Sequence, residues 1–151
     1  MFRGIVALAT AALVITAGAA SAELATWNQE RVAKYAEELT VATNNLKQAL
    51  DAVGIQNIAQ QNAMYQAKDT VEMLHRASTG LAESLKQGKG RDETLPRFKR
   101  VDTLRRDAEE DGRRADIPES VFARVFEVGG ALIKLYPYYI DQPARGEEKT
   151  E

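Results

Sequence analysis

The chain contains no cysteine, and that absence excludes several classes of protein at once. There is no disulfide framework, no thiolate metal site, no cysteine nucleophile and no lipid-modified amino terminus. Histidine occurs once, at His75. A nucleophilic triad would have to be built on it, yet the nearest serine, Ser78, lies one turn along the same helical pattern with no sharp turn to expose it. Charge of one sign is also lacking: 20 basic residues stand against 22 acidic ones. Such a balance gives no electrostatic case for nucleic acid or an anionic membrane as a partner. Carboxylates are plentiful, but abundance on polar faces does not mark a tuned acid–base pair. No strand alternation and no internal repeat occurs. The residues therefore point away from an enzyme, and the fold has to rest on packing.

One long apolar run is present. Arg3 precedes "GIVALATAALVITAGAA", which ends in Ala20-Ser21-Ala22. Basic residue, apolar stretch and A-x-A box, in that order, form a secretory signal peptide. A retained anchor would need about 20 apolar residues and no small-residue box. The expected leader is 1–22, with the mature chain starting at Glu23 in the periplasm or secreted, out of the membrane once cleaved. Removing it takes away one base and leaves 19 basic against 22 acidic residues, a formal charge of −3. The remaining 129 residues make one domain with one core. That domain is expected over 23–140, followed by a polar, aperiodic and disordered tail over 141–151.

Within the domain the apolar spacing is helical throughout. Val32, Tyr35, Leu39, Ala42, Leu46, Ala49 and Val53 alternate spacings of three and four, the seam period of packed helices. Gly54 ends that seam. Met64, Ala67, Val71, Leu74, Ser78, Leu81 and Leu85 repeat the pattern up to a linker, "GKGRDE", at 88–93. Leu95, Phe98, Val101, Leu104 and Ala108 mark a shorter third helix, with Pro96 in its first turn. The fourth carries two rows, Val121, Val125, Val128, Leu132, Leu135 and Phe122, Phe126, Gly129, Ile133, Tyr136. Two rows predict the most buried helix, ended by Pro137. The expected class is all-α, a four-helix bundle of two long and two shorter amphipathic helices.

Several constellations invite a functional reading. In "DAEEDGRRADIPE", Asp107, Glu109 and Asp111 alternate ahead of Gly112, as in a calcium loop, but Pro118 stands where the bidentate Glu is needed. A helix corner accounts for the same residues: Gly112 as the cap of helix three, Asp116 and Glu119 at capping-box spacing, and Asp107 and Asp111 on a solvated face. His75, with Met64 and Met73 on the same helix, offers imidazole and thioether ligands for copper or haem. In length and helix count the chain resembles the small exported four-helix cytochromes. That resemblance covers no motif: covalent haem needs two cysteines, and the non-covalent type draws its ligands from opposite terminal helices. The simpler reading is a boundary histidine beside core methionines, with no cofactor.

Gly129-Gly130 costs helix stability, and a close helix crossing is the expected compensation, ahead of room for a ligand. The stretch 86–106 is basic, and Arg97, Arg100 and Arg106, together with Tyr138 and Tyr139, are the residue types that most often anchor interfaces. These residues lead to an expectation of an exported, non-enzymatic binding or interaction module, with a protein partner or self-association. The alternative is a metal or haem carrier using the core near His75.

Overall fold

The computed structural model describes residues 23–55 and 57–141; the leader expected over 1–22 lies outside them, as does the expected tail apart from Asp141. Among the described residues helix is the only regular secondary structure, in a helical bundle of four substantial helices and one short turn of helix. These are α1 (Gln29–Asp51), α2 (Ile58–Lys86), α3 (Arg91–Arg114), α4 (Glu119–Ile133) and α5 (Tyr136–Tyr139).

Each long helix starts where a side chain satisfies a free backbone N–H. Asn28 accepts from the Arg31 N–H at 2.9 Å, and Asn57 accepts from the Gln60 N–H at 2.8 Å. Glu93 reaches back to accept from the Gly90 N–H at 3.0 Å, which places the start of α3 at Arg91, inside the expected linker. At 24 residues α3 is as long as α1, with 23, and Pro96 sits in its second turn.

The end of α3 differs from expectation. Gly112 is buried inside the helix, Ala115 is the C-cap, and Asp116 takes the left-handed conformation at φ 49°. The Ile117 N–H donates to the Gly112 carbonyl and the Asp116 N–H to that of Arg113, both at 3.3 Å, a Schellman closure with aspartate where glycine is usual. The glycine serves packing instead: a methyl group there would stand 3.1 Å from Ile117 Cδ1. Helix α4 begins after Pro118 without a side-chain cap, so the Asp116–Glu119 capping box is not formed.

The seam expected for α2 is buried at every position. That of α1 is displaced by a residue at alternate steps: Val32, Ala36, Leu39, Thr43, Leu46 and Leu50 are buried, while Tyr35, Ala42, Ala49 and Val53 are half-buried flanks. This follows from its position, because α1 packs against both α2 and α4 and needs a wider stripe than one partner would. Helix α2 packs against α1 and α3, and α4 lies mainly on α1 and only lightly on α3. Leu39, Leu46, Leu74, Leu81, Phe98, Val101 and Val128 fill the centre with almost no exposure. Each such side chain contributes roughly 1.5–3 kcal/mol by leaving water.

At one end the segment before α1 straps the bundle shut. The Ala25 N–H donates to the Pro137 carbonyl at 2.7 Å, and Arg91 Nη2 donates to the Ala25 carbonyl at 2.6 Å. Gln29 Nε2 donates to the carbonyls of Leu85 and Lys89 at 2.7 and 3.0 Å, binding α1 to the α2–α3 turn. Trp27 then closes edge-on over Tyr138 and Tyr139 of α5. Pro137 does not end α4; it sits inside α5, which tucks beneath the strap.

Candidate functional site

Tyr138 and Tyr139, expected at a contact surface, belong to the core, at 7 % and 5 % exposure. Tyr139 stacks on Phe98 with centroids 4.4 Å apart, and its hydroxyl lies 2.8 Å from Thr94 Oγ1. Burial pushes the Tyr139 hydroxyl above the ordinary tyrosine range. The sequence pattern missed this because the aromatic cluster follows the last seam, where only the strap reveals what covers it.

The three alternating acids do not converge. Asp107 is exposed, Glu109 is shared by Arg105 and Arg113, and Asp111 turns inward. Asp111 is 6 % exposed, contrary to the solvated face expected. Its Oδ2 accepts from Thr70 Oγ1 at 2.7 Å and its Oδ1 from Gln66 Nε2 at 3.1 Å, so it bridges α3 to α2. Among the described residues no group of three histidine, cysteine or acidic side chains is placed to hold a metal ion.

His75 points away from Met73. Two positions on a helix differ by about 200° in direction, and the contacts agree. His75 Nδ1 lies 3.1 Å from Thr43 Oγ1 on α1, whereas Met73 lines a cleft towards α3. Thr43 Oγ1 also lies 3.0 Å from the Thr40 carbonyl, so the contact holds His75 against α1. Met64 is buried in the core. The three do not form a ligand set.

Of the expected basic contacts, Arg106 is held on its own helix by Asp102. Asp102 is buried and also accepts from the Tyr136 hydroxyl, joining α5 to α3; burial first, and this carboxylate second, push the Tyr136 hydroxyl up. Arg97 and Arg100 behave differently. With Arg76 they wall a cleft of about 320 Å³ between α2 and α3, floored by Met73 and Ala77.

The outer face of α4 carries the feature that sequence reasoning misassigned. Only its first row is buried; Phe126 and Ile133 are 66 % and 64 % exposed. Gly129 and Gly130 lie between them, and no atom approaches within 4 Å of where a Cβ would stand on either. The close crossing expected at these glycines is therefore not made. Light packing of α4 on α3 leaves a groove of about 350 Å³ there, lined by Arg105, Gly129, Leu132, Ile133 and Tyr136. The other exposed large apolar residues are spread over α1, α2 and the α1–α2 turn: Val41, Ile55, Ile58 and Tyr65. Ile58 and Tyr65 have the same seven-residue spacing on α2, and what sets the α4 stripe apart is the glycine pair between its two residues, where no side chain stands.

Compared with known proteins, the chain matches no family model, no curated protein and no solved structure.

Proposed function

We propose that the mature chain is an exported, non-enzymatic four-helix bundle that works as an interaction module, and that it self-associates through the outer face of α4. The observation that carries this reading is the pair Phe126 and Ile133, mostly exposed on either side of an unapproached di-glycine. Two helical glycines cost roughly 1 kcal/mol each relative to alanine. Within the monomer no neighbour uses the space they leave, so a close approach from outside is the compensation.

The face complements itself. Glu127 and Lys134 lie seven residues apart on one rim of the stripe, so an antiparallel two-fold axis near Gly130 sets each Glu127 opposite the second copy's Lys134. The same axis seats each Phe126 beside the second copy's glycines and Ile133. The present partners of these charges, Arg124 for Glu127 and Glu38 for Lys134, are exposed surface pairs worth little, so re-pairing costs little. A contact confined to one helix of 15 residues falls in the small, weak class of interface. The carrier reading has no comparable support, because His75 spends Nδ1 on Thr43 and its methionines face elsewhere.

The absence of cysteine makes the test clean. A Gly130→Cys variant under mild oxidation should form a disulfide dimer, since the two-fold brings position 130 close to its own copy. Ser120→Cys, away from the axis, should not. Equal cross-linking at both positions, or none at 130, overturns the proposal.

A further inference from the structure

The cleft between α2 and α3 is a separate matter from the α4 face and does not depend on it. Its floor is Met73 and Ala77 of α2, and the same face of that helix continues to Gly80, where the side chain falls to nothing. Arg97 reaches across from α3 over the last of these. A methyl group at Gly80 would stand 3.2 Å from Arg97 Nη1, tighter than ordinary contact, so the glycine is the seat of the guanidinium. Arg76 stands on the other wall: its Nε donates to Glu72 Oε1 at 2.9 Å, which leaves both Nη groups for other partners. Arg100 completes the ring.

The charges do not cancel. Glu72 is shared between Arg76 and Lys47, and Glu93, one turn before Arg97, is spent on the Gly90 N–H. Among the described residues no carboxylate pairs with Arg97 or Arg100. Three guanidinium groups against one shared carboxylate leave an excess of about two positive charges at the mouth of an apolar floor. Planar guanidinium forks are the side chains best suited to bidentate capture of oxyanions.

We propose that this cleft binds a small organic anion whose head carries two negative charges and whose body is apolar, with Arg97 and Arg100 holding the head, Arg76 flanking it and Met73 and Ala77 under the body. A volume of about 320 Å³ admits a ligand the size of a single substituted ring. The doubly charged head is a phosphate monoester or a dicarboxylate; both present the same oxyanion chemistry to the arginines.

The test is calorimetric titration of the full mature chain with four probes: phenyl phosphate, isophthalate, benzoate and inorganic phosphate. Phenyl phosphate or isophthalate should saturate the site, and whichever binds more tightly identifies the head. Benzoate, with the same ring and one charge, and inorganic phosphate, with no ring, should each bind about tenfold more weakly or less, and added salt should weaken all of them. Arg97→Gln/Arg100→Gln should lower the affinity for the better probe about tenfold. Arg124→Gln, on α4, should not change it. Gly80→Ala should weaken binding while leaving the melting temperature equal or higher, because alanine favours the helix but displaces Arg97. Equal affinity for benzoate, equal loss in the Arg124 variant, unchanged affinity in Gly80→Ala, or no saturation by either dianion each overturns the assignment.

Discussion

Asp111 on α3 accepts a 2.7 Å hydrogen bond from Thr70 on α2, and this buried pair ties together the two helices that form the arginine cleft. Removing a carboxylate from such a position leaves Thr70 and Gln66 without their acceptor. Asp111→Ala is expected to cost about 2–3 kcal/mol in urea unfolding, whereas the exposed Asp107→Ala stays within ~0.5 kcal/mol. Equal effects at the two positions would show that the bridge is not made.

Tyr139 gives the bundle end a signature in alkaline solution. Burial raises its hydroxyl above the ordinary tyrosine value, and burial with Asp102 does the same for Tyr136. A group whose folded value is raised contributes stability that is complete below the unfolded value and is lost as pH climbs through the folded one. Stability should therefore fall above about pH 10, and fall less steeply in Tyr136→Phe/Tyr139→Phe, as followed by thermal melts across that window.

The aromatic cluster also makes Tyr138→Ala/Tyr139→Ala a folding variant. Truncating a buried ring costs roughly 3–5 kcal/mol, and these two rings carry Trp27 and Phe98 with them. Loss of cooperative melting is the expected result, whereas a folded double variant would contradict the packing at this end.

Gly129→Ala should stabilise the monomer by up to about 1 kcal/mol, since alanine restores helix propensity and meets nothing within 4 Å. Unfolding at low micromolar concentration reads this without interference from association. A destabilised variant would mean that the space is already used within the monomer.

What the sequence made legible was what periodicity encodes. The seam of α2 is legible residue for residue because every position of its three-four spacing is buried in the structure, and the all-helical class follows from spacing alone. The displaced seam of α1, the inward Asp111 and the buried Tyr138 and Tyr139 were not legible, because each depends on which neighbour lies opposite. Gly112 has the look of a stop because glycine is the usual cap, yet Asp116 adopts the left-handed turn and frees the glycine to pack beneath Ile117. On α4, two apolar rows in the sequence imply two buried rows. A second row is buried only where a second neighbour covers it, and α3 lies too far aside to do so.

The α4 face is tested most directly by sedimentation equilibrium of the mature chain across a range from low micromolar to near-millimolar concentration. The account predicts a weight-average mass rising from monomer towards dimer, and a monomer at every concentration for Phe126→Glu/Ile133→Glu, with unchanged circular dichroism because both side chains are exposed. A wild-type chain that stays monomeric throughout, or a double-glutamate variant that associates as the wild type does, would contradict it.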